Sequence, residues 1–346
     1  MTSLDSVTNT FSQASFNAAI LDSMGTIHLS KAFTVVEAVA FKRSCQEAFE
    51  QNPDVKEVVI DFSNTHFIDS SGIGALVICH KLCLSKSAQM RLVNVPPQVM
   101  MALSLTELDK VFTIEQAVDE RNAIAPTALP QSKVQNVLEN LPDTHPSVRS
   151  KTKRAIDILG ALVGLSITAV LFVVVGYLIK REDGGPIFFA QTRCSWMGKR
   201  FTIWKFRSMV VDAEARKKEV ANKVEGPLFK NDNDPRITRV GRFLRRTSLD
   251  EFPQFWNVLK GDMSLVGTRP PTPDEIEQYE VPQWQRLNVK PGMTGEWQVN
   301  GRSSVTKFED VIQLDLQYQR KWSLLYDIQL IFKTVWVLFS KDSGAM

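Results

Sequence analysis

Short apolar runs alternate with longer stretches of helical periodicity between about residue 16 and residue 118. The short runs predict four strands, at Gly25–Leu29, Val58–Asp61, Met90–Val93 and Val111–Ile114. The longer stretches predict three helices, at Phe33–Gln51, Ser70–Leu84 and Gln98–Ser104. Strands that alternate with helices indicate a small α/β domain in which the helices pack on a sheet.

The pattern then changes to a segment rich in Ala, Pro, Ser and Asn. Residues 119–148 contain four prolines and have room for at most one short helix. This composition favours a linker. We therefore divide the chain into a domain at 1–118, a linker at 119–148 and a C-terminal region at 149–346.

The C-terminal region opens with an apolar segment, Ala155–Ile179, whose only charged residue is Asp157. As a helix it is long enough to cross about 30 Å of hydrocarbon. A spanning helix has more cations on its cytoplasmic side, whereas this segment has Arg and Lys on both flanks. Cations on both flanks suit a segment that enters the membrane and returns to the same face, with a bend at Gly160, Gly164 or Ser166. A single spanning helix is an equally weighted alternative.

Composition excludes several classes of protein. With 44% hydrophobic and 23% charged residues, the 346-residue chain is neither disordered nor a polytopic membrane protein. A net charge of +3 is too small to predict a nucleic-acid partner. The N-terminus has no signal-peptide pattern, so we expect the first domain to be cytosolic and reduced. Cys79, His80 and Cys83 have metal-ligand spacing, but a buried helix face is the favoured interpretation because no second ligand pair exists.

Residues 234–270 carry the densest set of charged side chains. Seven cations, from Arg236 to Arg269, surround the acids Asp234, Asp250, Glu251 and Asp262. Guanidinium groups fit phosphate oxygens, and carboxylates bind Mg²⁺ or attack phosphorus. The combination predicts a site for cleaving a diphosphate.

A structural interpretation of the same residues stands beside the catalytic one. The sequence from Ser248 to Glu251 has the pattern of a capping box, in which Ser248 caps a helix and Glu251 bonds back to it. Acids also favour a helix N-terminus through the helix dipole. On pattern alone the structural interpretation is the stronger of the two.

Several short blocks follow one another in order along the C-terminal region. They are KRAIDILGALVGL at 153–165, KFRSM at 205–209, DAE at 212–214, RRTSLDE at 245–251, PQ at 253–254, NVLKGDM at 257–263, VGTRP at 266–270, KPGMTG at 290–295, Gln298 and GR at 301–302. On these blocks, residues 150–346 resemble the bacterial sugar transferase family. Its members are monotopic phosphoglycosyl transferases that begin exopolysaccharide and O-antigen assembly.

The resemblance implies a role for individual residues. Asp250 becomes the nucleophile that forms a phospho-sugar adduct, and Glu251 becomes a catalytic residue that binds the Mg²⁺ cofactor. The implied phosphate contacts are Lys205, Arg207, Arg246, Arg269 and Arg302. The alternative for each of these cations is a solvated charge or a structural ion pair. Asp157, near the membrane boundary, is expected to cap the helix or to pair with an arginine.

Two positions depart from the family pattern. The membrane helix of the family usually breaks at Ser-Pro, whereas this chain has Ser166-Ile167, and the missing proline removes the strongest kink signal. The usual Gly-Pro-Arg-Pro is Gly267-Thr268-Arg269-Pro270 here, which keeps the arginine.

The N-terminal domain carries VVIDF at 58–62 and FIDSSGIG at 67–74, and on these it resembles the STAS domain of anti-sigma-factor antagonists and anion transporters. In antagonists a partner kinase phosphorylates the serine after the aspartate, and Ser70 occupies that position. The favoured alternative is a strand-to-helix turn in which Ser or Asp only caps the helix. The domain implies regulation through a protein partner or self-association.

Together these patterns predict a STAS-like α/β domain, a membrane-inserted helix and a mainly helical α+β catalytic domain. The leading hypothesis is transfer of a hexose 1-phosphate from a UDP-sugar, UDP-glucose or UDP-galactose, to undecaprenyl phosphate at the cytoplasmic face of the bacterial inner membrane. The alternative is a membrane-tethered regulatory or scaffold protein with an inactive transferase module. Residues Leu324–Ser340 predict a final amphipathic helix that lies at the membrane interface or packs on the catalytic domain.

Overall fold

The computed structural model describes residues 20–21, 24–115, 130–216, 234–300 and 307–339. These residues form two compact units. The first contains the residues up to His145 together with Met197–Lys199 and Tyr279–Asn288, and the second contains the rest.

The first unit is built on a mostly parallel sheet. Its strands are β1 Ile20–Leu21, β2 Met24–His28, β3 Ala32–Phe33, β4 Glu57–Asp61, β5 Phe67–Ile68, β6 Gln89–Val93 and β7 Thr113–Glu115. Five strands pair in the order β1-β2-β4-β6-β7, and only β1 is antiparallel to its neighbour. Strands β3 and β5 form a separate parallel pair.

Helices connect these strands, as the alternating pattern predicts. They are α1 Val35–Gln51, α2 Ser70–Ser85 and α3 Pro97–Leu105; a further helix, α4 Gln131–Glu139, follows β7. Phe41, Ile60, Leu76 and Leu92 are completely buried in the core between sheet and helices. This unit therefore confirms the predicted small α/β domain.

The cysteines of α1 and α2 and the position of α4 bear on two predictions made from the sequence. Cys79 and Cys83 are buried on α2, and Cys45 is buried on α1, so this helix face is part of the core, as favoured. Helix α4 lies in the segment assigned to the linker, and it packs against α3 with Val134 and Leu138 buried.

The second unit is mainly helical. Its helices are α5 Pro146–Arg149, α6 Lys151–Asp183, α7 Arg239–Arg246, α8 Phe255–Lys260, α9 Pro273–Ile276, α10 Glu296–Asn300, α11 Phe308–Lys321 and α12 Leu324–Phe339. Strands β8 Phe188–Cys194 and β9 Arg200–Phe206 form an antiparallel hairpin. Strands β10 Ser264–Val266 and β11 Gly292–Thr294 pair in parallel. The mainly helical character agrees with the predicted fold class.

Three glycines of the sequence blocks lie where β10 and β11 end side by side. A Cβ on Gly267 would lie 2.2 Å from the carbonyl oxygen of Lys290, and one on Gly295 would lie 2.0 Å from that of Gly267. A Cβ on Gly292 would meet the Gly267 nitrogen at 2.1 Å. Because backbone faces backbone here, only glycine fits. The close approach keeps the chain leading to Arg269 beside the chain that follows Lys290.

Helix α6 is the one helix of the described residues that is long and apolar enough to cross a membrane. It is continuous through Gly160, Gly164 and Ser166, where we expected a bend. The glycines instead admit neighbouring side chains: a Cβ on Gly164 would lie 2.3 Å from the ring of Phe255, and one on Gly160 would lie 2.6 Å from Leu265. The helix is therefore not interrupted at these positions, and the two glycines serve packing.

One stripe of α6 packs on the rest of the second unit along almost the whole length of the helix. The stripe comprises Lys153, Asp157, Ala161, Gly164, Thr168, Val175, Gly176 and Ile179. Most of these residues are three, four or seven positions apart, which puts their side chains on one helix face. The opposite face is apolar and exposed, with Leu159, Val163, Val170 and Val173 each at least 63% exposed. An apolar face of this kind suits contact with lipid.

Both ends of α6 are tied to polar groups of the second unit. Near the start, the Lys153 ammonium pairs with Asp327 at 2.6 Å and donates to the carbonyl of Val266 at 3.0 Å. At the other end, the Arg207 guanidinium donates to the Asp183 carboxylate at 2.7 Å. Asp157 accepts from the Ser264 hydroxyl and the Leu265 amide, both at 2.9 Å. The expectation that Asp157 caps the helix or pairs with an arginine is therefore wrong, because backbone and hydroxyl donors of β10 satisfy it.

The final helix α12 has two different faces. Asp327 and Leu330 are buried, and the helix packs on β10 and β11. Phe332 and Trp336 are 71% and 75% exposed. Both predicted roles thus have a face that fits them, one for packing and one for an apolar interface.

Candidate active site

Asp250 lies in a tight turn that the capping pattern does not describe. Leu249–Gln254 form a 3₁₀ helix, and Ser248 before it has a positive φ of 54° with no side-chain cap. The Glu251 carboxylate bonds to the Lys205 ammonium at 2.6 Å. The capping-box interpretation is therefore wrong, because the Glu251 carboxylate accepts a hydrogen bond from Lys205 of strand β9 and Ser248 does not cap the helix. The turn buries Asp250, which is 7% exposed, and leaves the Glu251 side chain 36% exposed.

Two cations act on the buried carboxylate. Lys205 on β9 and Arg245 near the end of α7 both lower the pKa of Asp250 by their charge. Burial is the largest influence on the pKa of Asp250 and raises it. The charge of Glu251 acts in the same direction, so the pKa is raised overall. Arg245 is held by a hydrogen bond from its Nε to the Ser208 hydroxyl at 2.9 Å. Burial lowers the pKa of Arg245, and the charge of Asp250 counters that effect.

This arrangement is suited to nucleophilic attack on a phosphorus atom. A carboxylate withdrawn from water is less stabilised by solvent, so it is the more reactive as a nucleophile once ionised. Fixed cations beside it stabilise the negative charge of a phosphate in the transition state. Lys205, Arg245, Asp250 and Glu251 are the charged residues that the structure brings together around this turn.

Two of the implied phosphate contacts, Arg207 and Arg269, form ion pairs within the protein. Arg207 is 6% exposed, and its guanidinium donates to Asp183 and to the Pro186 carbonyl at 2.7 Å. Arg269 forms a two-pronged pair with Glu275, at 2.7 and 3.1 Å. The ion-pair alternative thus describes the structure around both residues.

Of the other three implied contacts, Lys205 bonds to Glu251, as described above. Arg246 is exposed at the end of α7, one residue after Arg245. Arg302 lies outside the described residues. Both remain predictions as phosphate contacts.

Arg193 is a cation that the sequence patterns did not single out. Its guanidinium lies 4.0 Å from the same Glu275 carboxylate and donates to the Pro270 carbonyl at 2.9 Å. Burial and the charge of Arg269 lower the pKa of Arg193 to about 10. A capping box holds the shared carboxylate: the Thr272 hydroxyl accepts from the Glu275 amide at 3.1 Å, and the Thr272 amide donates to the Glu275 carboxylate at 3.4 Å.

The acids of the site suit a metal that is held partly by substrate. The described residues contain no group of three or more His, Cys, Asp or Glu that would hold a metal by themselves. Mg²⁺ commonly binds through one or two carboxylates plus substrate phosphates. The adjacent and partly accessible carboxylate of Glu251 fits that arrangement.

The regulatory candidate, Ser70, lies in the first unit at the start of α2. Asp69 caps this helix, accepting from the amides of Ser71 at 2.8 Å and Gly72 at 3.0 Å, as the capping alternative expects. Burial raises the pKa of Asp69 to about 6. The Ser70 side chain is completely buried. Its phosphorylation remains a prediction.

Comparison with known proteins places both parts of the chain. Residues 148–341 match the model of the bacterial sugar transferases, and residues 15–121 match that of the STAS domain. The galactosyl transferase CpsE of Streptococcus agalactiae is 51% identical over 188 residues, covering 54% of this chain and 42% of its own length. The undecaprenyl-phosphate galactose phosphotransferase of Salmonella typhimurium is 44% identical over 200 residues, covering 56% and 41%.

A shorter relative is matched over most of its length. The exopolysaccharide production protein ExoY of Rhizobium meliloti is 38% identical over 189 residues, covering 53% of this chain and 83% of its own. The first two relatives, in contrast, are matched over less than half of their length. The model match covers more than half of this chain and includes the turn with Asp250 and Glu251, so the chain belongs to the bacterial sugar transferase family.

Proposed function

We propose that this protein transfers a hexose 1-phosphate from a UDP-sugar to undecaprenyl phosphate, with Asp250 as the nucleophile. The observation that carries the proposal is the buried Asp250 carboxylate, beside Glu251 and under the influence of Lys205 and Arg245. The names of the relatives support the substrates: one is a galactosyl transferase and another an undecaprenyl-phosphate galactose phosphotransferase.

The reaction proceeds in two displacements at one phosphorus atom. A carboxylate oxygen of Asp250 attacks the phosphate that carries the sugar, the bond to the second phosphate breaks, and UMP leaves. A phosphate oxygen of undecaprenyl phosphate then attacks the same phosphorus and displaces Asp250. Lys205 and Arg245 stabilise the charge on the phosphate oxygens in both displacements.

Mg²⁺ is the cofactor in this proposal, and Glu251 is the residue that holds it. When bound, the ion neutralises charge on the diphosphate of the donor. The Lys205 ammonium, which bonds to Glu251, orients that carboxylate. Asp250 needs no place among the metal ligands and stays available as the nucleophile.

The acceptor has an apolar site beside the membrane helix. A cavity of about 410 Å³ is lined by Leu165 and Thr168 of α6 and by Phe188, Trp204, Pro253 and Trp256. Thr168 is the only polar residue of this lining. Pro253 belongs to the same 3₁₀ helix as Asp250. We assign the cavity to the first isoprene units of the lipid.

The same helix supports a position on the cytoplasmic face. Because α6 packs on one unit from Lys153 to Ile179, a full crossing would draw side chains such as Phe255 and Phe206 and their polar neighbours into the bilayer. We therefore infer that both ends of α6 lie on one side, and the cations on both flanks indicate the cytoplasmic side.

An intact-mass experiment tests the chemistry. Incubation with UDP-galactose or UDP-glucose and Mg²⁺, without acceptor, should add one hexose phosphate to the wild-type protein. Asp250→Asn should give no adduct and lose essentially all turnover, because an amide is a poor nucleophile of nearly the same shape. Asp274→Asn, at an exposed carboxylate of α9, should keep both.

The outcomes separate the two hypotheses of function. An Asp250→Asn protein that still forms the adduct would refute the nucleophile. A folded wild type that gives neither adduct nor lipid product with either donor would favour the scaffold with an inactive module. The donor that gives the adduct identifies the sugar.

The STAS domain supplies regulation in this proposal. It matches its family over residues 15–121, outside the transferase match. Its Asp69 and Ser70 stand at the start of α2, where a change of charge alters the contact surface. The partner is a regulatory protein or a second copy of the chain.

A further inference from the structure

A segment of the transferase sequence belongs structurally to the first unit. Tyr279–Asn288 lies inside the match to the bacterial sugar transferases, at 148–341, yet it forms part of the compact unit that contains the STAS domain. The segment includes the 3₁₀ helix Val281–Asn288, which packs against α1 and α2. Five of its ten side chains are at most 5% exposed: Tyr279, Val281, Trp284, Arg286 and Leu287.

The Asn288 amide bonds specifically to the start of α2. Its oxygen accepts from the Ser70 amide at 3.0 Å, and its nitrogen donates to the Asp69 carboxylate at 3.1 Å. The other Asp69 oxygen accepts from Ser71 and Gly72. The donor and acceptor of one side chain thus match an acceptor and a donor of the helix start.

Two further contacts secure the same segment. The ring of Trp284 lies against Gly74 of α2, where an added Cβ would come within 2.4 Å of the ring atoms. The Lys42 ammonium of α1 pairs with Glu280. Apolar, hydrogen-bonding and ionic contacts are therefore combined over ten residues, as in a bound peptide.

The chain after this segment leads directly to the paired strands of the second unit. Val289 is buried with Val266, Tyr318 and Leu330, and β11 begins at Gly292. Strand β11 pairs with β10, which Gly267, Thr268 and Arg269 follow. Release of Asn288 would therefore free the chain two residues before the block at Lys290.

We propose that the start of α2, with Asp69, Ser70 and Gly74, is a binding site for the transferase segment Tyr279–Asn288, and that its occupancy controls the order of β11 and the transferase rate. The rate part rests on the proposed function. Ser70 is completely buried and its amide is bonded to Asn288, so the segment occupies the helix start that a kinase or partner would have to reach. The segment thus competes with any regulator of this surface.

An exchange of the two side chains tests the contact in the full chain. Asn288→Asp puts two carboxylates face to face, and Asp69→Asn leaves two donors facing each other in either orientation of the Asn288 amide. The double variant restores an amide–carboxylate pair with every hydrogen bond. Asn52→Asp makes the same chemical change at an exposed residue and serves as the control.

Hydrogen–deuterium exchange gives a readout that does not need activity. Each single variant should raise exchange about tenfold at residues 279–288 and at β11, because a buried polar group is left unsatisfied. The double variant and the Asn52→Asp control should stay within about twofold of the wild type, because neither leaves a buried polar group unsatisfied. Unchanged exchange at 279–288 in both single variants would overturn the contact. Increased exchange there without a change at β11 would overturn the coupling.

A steric variant covers the case in which the single variants fold poorly. Alanine is the better helix former, so Gly74→Ala should stabilise α2 itself while displacing Trp284. We expect faster exchange at 279–288 and at β11 with α2 still protected. Wild-type exchange at 279–288 in this variant would refute the contact.

The rate is measured on the same proteins. Each single variant should lower the rate of transfer to the lipid at least threefold, and the double variant should restore it. Increased exchange with an unchanged rate would overturn the regulatory part. A wild type that transfers no sugar phosphate would refute the proposed function instead, and the exchange experiment would still decide the contact and its coupling to β11.

Discussion

Opposing influences act on the pKa of Asp250, and a substitution of Lys205 tests one of them. Lys205 lowers the pKa of Asp250, whereas burial and Glu251 raise it. The nucleophile must be ionised, so activity should fall as the pH decreases through the pKa of Asp250. A variant without the Lys205 charge therefore separates the electrostatic part of the site from its shape.

Lys205→Met is expected to reduce kcat by about 100-fold, because a fixed cation beside the phosphate is lost. The acid limb of its pH–rate profile should also move to higher pH, since nothing replaces the charge that favours ionised Asp250. Steady-state rates between pH 5 and 9 measure both effects. Lys321→Met, at an exposed residue of α11, is the control. An acid limb at the wild-type position would show that Lys205 does not act on Asp250.

The roles of single residues could be predicted where they depend on sequence neighbours. The predictions failed where a partner far away in the sequence determines the contact. The acids Asp250 and Glu251 were found from the block around them. The capping pattern at Ser248 failed because Lys205, 46 positions away, holds Glu251. Arg207 is paired with Asp183, 24 positions earlier, and the whole β8–β9 hairpin lies between them in the sequence. No local pattern announces such partners.

At the scale of elements, the bounds of helices and strands in the first unit could be predicted, because the hydrophobic period and the turn residues indicate the same boundaries. Predicted Ser70–Leu84 and observed Ser70–Ser85 differ by one residue, and predicted Val58–Asp61 starts one residue late. Helix α6 shows the opposite case. Its glycines suggested a bend, but each admits a side chain that lies far along the sequence, Phe255 or Leu265.

Substitution of Gly164 measures how tightly α6 packs. In an isolated helix Gly→Ala stabilises by about 1 kcal/mol. Here the added methyl group meets the Phe255 ring, so we expect Gly164→Ala to destabilise the second unit by about 1–3 kcal/mol. The thermal unfolding midpoint in lipid nanodiscs, measured against wild type, should fall.

Ser166 offers a control two residues away. Its side chain is exposed and bonds only within the helix, to Leu162, so Ser166→Ala should change stability by less than about 0.5 kcal/mol. A midpoint that rises in Gly164→Ala would mean that α6 does not pack on Phe255 at Gly164.

At the scale of the whole molecule, the placement of the membrane helix makes a testable statement about topology. Arg149 precedes α6 and Arg181 lies in its last turn, so the two residues flank the apolar segment, and both are exposed. We expect Arg149→Cys and Arg181→Cys to react with an impermeant maleimide only after the membrane of intact cells is opened. The four native cysteines are buried, and burial raises the pKa of Cys83 and Cys194 to about 12, so their background should be low.

Ser166→Cys, on the exposed face in the middle of α6, is the matched control and should stay unlabelled in lipid in both conditions. Reaction of one flank in intact cells and of the other only after opening would mean that α6 spans the bilayer. Reaction of both flanks in intact cells would place the protein on the outer face.

The ion pair at the start of α6 also sets an order of events during synthesis. Lys153 precedes its partner Asp327 by 174 positions. At about 5–20 residues per second, the ribosome needs roughly 9–35 s to make that stretch. Throughout this time the apolar face of α6 can enter lipid, but the Lys153 ammonium has no carboxylate to receive it, and an unpaired charge is strongly disfavoured in a buried position. Insertion therefore comes first and docking second, and a nascent chain that stalls before α12 should remain inserted but undocked.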